Sequence, residues 1–145
     1  MQILSSEEIE KIISDTWEGF LGLVDGDKPY CIPVAHVYHN KNLYVLFPKE
    51  GRKTKCIERN KNACYLIHTK IDDVYHSILI EGYLQRVEDP EEIKPIVEKF
   101  YDMVFPKDPF FKEFKKDFIL NVCLGSSKAG LYKLVPSSVS GFKKS

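Results

Sequence analysis

Phe20-Leu21-Gly22-Leu23-Val24, a break at Asp25-Gly26-Asp27, and then Tyr30-Cys31-Ile32-Pro33-Val34-Ala35-His36-Val37-Tyr38 form the stretch that decides the fold. Apolar residues recur there with a period near two, and the Gly-containing break between the runs marks a hairpin. A second turn at His39-Asn40-Lys41-Asn42 leads into Leu43-Tyr44-Val45-Leu46-Phe47, rich in the aromatic and β-branched types that suit a pleated surface. Three antiparallel strands are therefore expected in direct succession.

Upstream, Ser5 or Ser6 can cap a helix carrying Ile9, Ile12, Ile13 and Trp17 at helical spacing, with Glu7 and Glu8 near its positive end. That helix is expected to end near Gly19, with Trp17 as its anchor. Downstream, Gly51 opens a short helix reaching Asn60. Ala63–His68 and Ser77–Val87 read as two more strands, the second bending at Gly82. Asp89-Pro90-Glu91-Glu92 starts a helix with Ile93, Ile96, Val97 and Phe100 on one face, stopped by Pro106 and Pro109. Phe118–Leu124 and Gly130–Val135 are expected to be extended, followed by a Ser-rich end. Hairpin-linked strands with inserted helices favour an antiparallel barrel over a parallel, doubly wound sheet.

The chain has 145 residues, 43% hydrophobic and 29% charged, which suits a single domain over residues 1–145. No apolar run reaches the roughly 20 residues needed to span a bilayer, and residues 1–8 lack a secretion signal's basic and apolar regions, so a cytoplasmic protein with no membrane partner is expected. Basic and acidic residues number 21 each, leaving no positive field to collect nucleic acid. Cys31, Cys56, Cys64 and Cys123 stand far apart with no Cys-x-x-Cys pair, and neither they nor the four histidines imply a metal site.

One segment carries chemistry. Gly51-Arg52-Lys53 at the entry to a helix combines free amides, the helix dipole and two cations, a physically sensible anion site, with Lys49 and Lys55 adding local charge. His36 is a candidate ring contact or proton donor, and His76 beside Ser77 is a candidate neighbour of the same pocket. The aromatic stretch Val104–Phe111 is expected to pack on a partner subunit or to lid the pocket.

Gly19-Phe20-Leu21-Gly22-Leu23, Tyr30-Cys31-Ile32-Pro33-Val34, Leu43-Tyr44-Val45, Glu50-Gly51-Arg52-Lys53, Ser77–Gly82 and Val139-Ser140-Gly141-Phe142-Lys143 occur in an order that resembles the FMN-binding split-barrel family of pyridoxamine phosphate oxidase and the nitroimidazole reductases. The resemblance implies a mainly β, α+β fold, an antiparallel six-stranded split barrel with peripheral helices. It also implies FMN as cofactor, with Arg52 and Lys53 on its phosphate and Gly51 assisting. By the same matching Ile32, Val34, His36, Leu46, Phe47 and Ser77 touch the ribityl chain or ring, and two protomers share each site as a homodimer. No side chain is implied as a catalytic nucleophile. The function implied is an NAD(P)H-dependent reductase of a small flavin, nitro or quinone-type acceptor; the alternative is a non-catalytic FMN, haem or deazaflavin carrier. Leu46-Phe47-Pro48 stands where the nitroimidazole branch carries a His, and only His36 stands in for the oxidase branch's extra basic residues, so neither branch's own substrate is implied.

Overall fold

A computed structural model describes residues 1–144. In chain order the elements are β1 (Gln2–Ile3), α1 (Ser6–Asp15), β2 (Glu18–Asp25), β3 (Lys28–His39), β4 (Asn42–Phe47), α2 (Arg52–Arg59), β5 (Asn62–Ile71), β6 (Val74–Arg86), α3 (Pro90–Met103), a 3-10 turn (Phe111–Glu113), α4 (Lys116–Leu124) and β7 (Gly130–Lys144). Strands β7, β4, β3, β2, β5 and β6 follow one another, and β6 pairs back onto β7, closing a six-stranded antiparallel ring. The two-residue β1 adds to the far end of β7 through Gln2↔Lys143 and Ile3↔Phe142.

The ring is split along β7. Its first residues, Gly130–Leu134, pair with β4, whereas only Phe142 and Lys143 pair with β1. Helix α1 lies across the gap, with Ile9 and Leu4 packed so closely on Gly141 that a Cβ there would sit 3.0 Å from both. Ser5 caps α1 reciprocally: the Glu8 amide donates to Ser5 Oγ and the Ser5 amide to Glu8 Oε1, each at 3.1 Å.

Side-chain parity on β3 and β4 sorts the core into two compartments. Val34, Leu43, Val45 and Phe47 point into the barrel with Leu21, Tyr65, Ile67 and Ile78. Ala35, Val37, Tyr44 and Leu46 point outward and are covered by Ile93, Ile96 and Phe100 of α3 and Ile119 and Cys123 of α4. The hairpins turn as their twist requires: Asn40–Lys41 and Asp72–Asp73 both hold two successive positive φ angles (50° and 64°, 51° and 64°).

Three expectations need correction. Phe118–Leu124 lies in α4 rather than in a strand: the run is apolar without strict alternation, and burial of Ile119 and Cys123, four apart, selects the helix. Helix α1 ends at Asp15, where the Thr16 hydroxyl donates to the Ile12 carbonyl at 2.7 Å, so Trp17 stands beyond the helix it was expected to anchor. Finally, the Ser-rich end continues β7 to Lys144 because the long β6 supplies backbone partners, apart from one bulge: Glu81 faces Ser138 while Gly82 faces Pro136.

Candidate functional site

A cleft of about 360 Å³, within the usual range for small-molecule sites, opens on the outer wall of β3 and β4. Pro33, Ala35 and Leu46 form its apolar floor. Trp17 and Glu18, at the α1–β2 junction, line one side. Asp108, Pro109, Phe110 and Phe111, on the segment joining α3 to α4, line another, whereas Val104, Phe105 and Phe111 of the stretch expected to lid the pocket or meet a partner are buried in the core under α3 and α4. Lys53 closes the α2 end.

Helix α2 presents its first turn beside this cleft because Gly51 and Thr54 fix the entry. The Gly51 amide donates to Thr54 Oγ1 at 2.9 Å, and that hydroxyl donates to the Gly51 carbonyl at 3.0 Å, which buries Thr54 and starts the helix at Arg52. Amides in the first turn have no intrahelical acceptor. A Cβ on Gly51 would meet nothing within 4 Å, so the backbone there is open to a ligand.

The two cations of the motif part company. Arg52 donates from Nε to Asp25 Oδ2 at 3.0 Å, pairs with the same oxygen through its terminal nitrogen at 2.8 Å, and lies 3.8 Å above the Tyr30 ring. It is pinned to the β2–β3 hairpin and does not line the cleft. Lys53 is partly buried, makes no ion pair among the described residues, and its pKa is drawn below the ordinary lysine value by desolvation. A half-desolvated ammonium without a carboxylate is stabilised by an anion brought to it.

The other expected site residues distribute by parity. Leu46 lines the cleft, and Val34 borders it although its side chain joins the barrel core. Ile32 packs against the barrel core and Phe47 lies inside it, neither lining the cleft. His36 is fully buried inside: Nδ1 is 2.8 Å from the Tyr65 hydroxyl and Nε2 is 3.1 Å from the Ile13 carbonyl. Burial pushes its pKa down to about 4, so the ring is neutral near pH 7. It is a core hydrogen-bonding residue rather than a ring contact. Ser77 lies on the outer wall of β6, 2.7 Å from His68 Nδ1, and His76 bonds the Val74 carbonyl; both are away from the cleft.

Trp17, Glu18, Pro33, Ala35 and Asp108 were not singled out from the sequence as site residues. Pro33 and Ala35 were within reach, since strict alternation makes them the opposite face from Ile32 and Val34. Trp17 and Glu18 carried no such signal, because the helix had been expected to run through them.

Tyr65 shows how tightly the interior is specified. Its hydroxyl donates to the Val34 carbonyl at 2.6 Å and lies 2.8 Å from His36 Nδ1. Tyr65→Phe is expected to lower stability by about 1–3 kcal/mol, the cost of leaving buried polar atoms unpaired, read as a fall in the urea midpoint without a change in slope.

A six-stranded antiparallel ring split along β7 and flanked by helices defines the class of split-barrel proteins. The chain belongs to the pyridoxamine 5'-phosphate oxidase family, whose model matches residues 5–124. No curated protein matches the sequence. Among solved structures it is similar to an FAD-binding protein from Mesorhizobium loti, at 16% identity and a TM-score of 0.77, covering 99% of this chain and 98% of that one. A candidate 5-nitroimidazole antibiotic resistance protein from Bacteroides thetaiotaomicron aligns at 22% identity and a TM-score of 0.72, covering 98% and 86%. A heme-binding protein from Mycobacterium smegmatis aligns at 12% identity and a TM-score of 0.70, covering 98% of this chain but 55% of that longer one. These likenesses establish the shared fold. No helix among the described residues is long and apolar enough to cross a membrane.

Proposed function

We propose that this protein binds FMN in the cleft beside α2 and serves as a flavin-dependent reductase of a small acceptor, with a reduced nicotinamide as electron donor. The observation that carries the reading is Lys53, a partly buried ammonium without an ion-pair partner among the described residues, at the end of a cleft with an apolar floor. Family membership and the flavin-binding neighbour in the same fold support it.

In this reading Lys53 and the first-turn amides of α2 hold the phosphate, as helix starts commonly do. Pro33, Ala35 and Leu46 present an apolar surface to the flavin, and Trp17 with Phe110 and Phe111 keeps water from it. Bound FMN supplies the two-electron chemistry, and the protein supplies binding, orientation and exclusion of solvent. Arg52 plays the lesser part because Asp25 already holds it.

The reading extends to a homodimer. Phe20 and Leu66 pair across β2 and β5 and are 47% and 37% exposed, and Phe142, 40% exposed, pairs with Ser77 on the same outer wall. A second copy packed there would cover these apolar side chains and place Ser77 and His68 in the shared interface. Sizing chromatography is expected to show a dimer, and the Phe20→Glu, Leu66→Glu double variant a folded monomer; a monomeric parent protein would refute the shared arrangement.

Trp17 is the only tryptophan and lines the cleft, so FMN titration into apoprotein should quench its emission as flavin fluorescence falls. Lys53→Ala is expected to weaken FMN binding by about 1.5–3 kcal/mol, roughly 10- to 150-fold, and Arg52→Ala by less. Oxidation of NADH or NADPH faster than free FMN supports would establish the reductase. FMN binding without turnover would favour an electron carrier, and quenching by haem but not FMN would replace the cofactor.

A further inference from the structure

Folding sets two of the four cysteines in one row. Gly22 on β2 pairs with Cys31 on β3 and with Cys64 on β5, so the three residues stand side by side across neighbouring strands. All three face the outer wall, because their chain neighbours Leu21, Leu23, Ile32 and Tyr65 point to the barrel core. Glycine leaves no side chain between the two thiols. Cys64 Sγ leans over Gly22 and lies 2.6 Å from where a Cβ on that residue would sit. Cys31 is exposed and Cys64 half-buried, both are free thiols, and neither lines the cleft.

The spacing excludes a direct bond between the sulfurs and suits a bridged one. Two strand spacings put the Cys31 and Cys64 Cα atoms about 9.5 Å apart, beyond the roughly 6.8 Å that a disulfide spans. An ion held in line between two thiolates sets the sulfurs about 4.6 Å apart instead of about 2.05 Å, which extends the reach to about 9.3 Å. A tetrahedral ion, with its sulfurs about 3.8 Å apart, reaches only about 8.5 Å and needs two further ligands. Among the described residues no group of three or more His, Cys, Asp or Glu is placed to hold a metal. Electrostatics point the same way: burial, and then the charges of Cys31 and Glu81, push the Cys64 thiol above its ordinary pKa. Glu81 pairs with Cys64 from β6 and extends the row, so it opposes a free thiolate and favours a cation that neutralises one.

We propose that Cys31 and Cys64 hold a soft cation of the Cu(I) type in linear, two-coordinate geometry above Gly22, at a site separate from the α2 cleft. Each thiol releases its proton to solvent as its sulfur bonds the ion, and no oxidation state changes. Thiolates select soft ions over hard ones, and the absent Gly22 side chain gives the ion its space. The site stands independently of the FMN reading.

Competition for Cu(I) against bathocuproine disulfonate, in the absence of oxygen, tests it. The reduced protein is expected to take one Cu(I) per chain, and X-ray absorption of the loaded protein to show two sulfur ligands. Cys31→Ser or Cys64→Ser should weaken binding about 100-fold or more, because loss of one thiolate removes the chelate. Gly22→Ala keeps both thiols but puts a methyl group between them, and should weaken binding at least about tenfold. Only the Cys64 side chain stands within 3 Å of the added Cβ, so that variant is expected to melt near the parent's temperature. Cys123→Ala, which removes a buried thiol outside the row, should leave the affinity unchanged. No Cu(I) retained against the competitor, or an affinity that survives Cys31→Ser or Gly22→Ala, overturns the site. Zn(II) bound as tightly as Cu(I) overturns the two-coordinate assignment.

Discussion

Gly82→Ala is expected to cost this small protein about 4 kcal/mol or more, enough to leave much of it unfolded at physiological temperature. A Cβ on Gly82 would lie 1.9 Å from the Val135 carbonyl oxygen, 2.9 Å from its carbon and 3.0 Å from the Pro136 Cα. All three are backbone atoms of the neighbouring strand, so no rotamer change can relieve the contact. Relief requires β6 and β7 to separate at the bulge, where the register already slips by one residue. Two other glycines serve as controls. Gly51→Ala meets nothing within 4 Å and should be nearly neutral for stability, whereas Gly26→Ala, at φ 68°, should cost about 1–2 kcal/mol through backbone strain alone. Urea midpoints of the three variants give the order, and a Gly82→Ala protein as stable as Gly51→Ala would refute the close-contact account.

The second large effect is a loss of stability in mild acid, set by His36. Its pKa stands at about 4 in the fold against an ordinary value of 6.5, because the buried ring is shielded from water. Between those values the unfolded chain binds a proton that the folded chain refuses, so stability falls as pH falls. The contribution is fully present above pH 6.5 and is lost toward pH 4; the gap of about 2.5 corresponds to about 3 kcal/mol. Ile13, Thr16 and Tyr65 contact the ring, and none carries a negative charge at these pH values to hold an imidazolium. His36→Gln is expected to be less stable near pH 7, through lost hydrogen bonds, but to show a flatter decline between pH 6.5 and 4. A variant whose midpoint falls with pH as steeply as the parent's would place the acid sensitivity elsewhere.

How much of this was legible in the residues depended on the kind of signal. The first three strands could be read because alternation and the turns at Gly26 and Asn40–Lys41 agree with each other. The Gly51 entry was legible because a glycine before basic residues at a helix start has a direct physical meaning. Parity was the weak point: Val34 is buried in the barrel and Ala35 and Val37 are buried under α3 and α4, so hydrophobicity alone could not say which face of β3 looks onto the cleft. Ile32 and His36 turn to the barrel side for that reason, and Pro33 and Ala35 line the cleft. The division of labour between Arg52 and Lys53 was invisible because it depends on Asp25 and Tyr30, which are 27 and 22 positions away from Arg52 in the chain and adjacent only after the barrel closes. The strand expected at Phe118–Leu124 failed differently, a short apolar run being compatible with either geometry until its neighbours are known.

The closure of the ring through β7 sets the order in which the protein can assemble. That strand pairs with β4, with β6 and with the two residues of β1, so Gln2 finds its partner in Lys143, across nearly the whole chain. The hairpins from β2 to β4 and from β5 to β6 can form locally, but on the ribosome the barrel stays open until its last strand has emerged. Contacts of such long sequence separation slow folding, and the unpaired edges of β4 and β6 are exposed in the meantime. Loss of β7 would therefore leave an open sheet with two free edges rather than a smaller barrel.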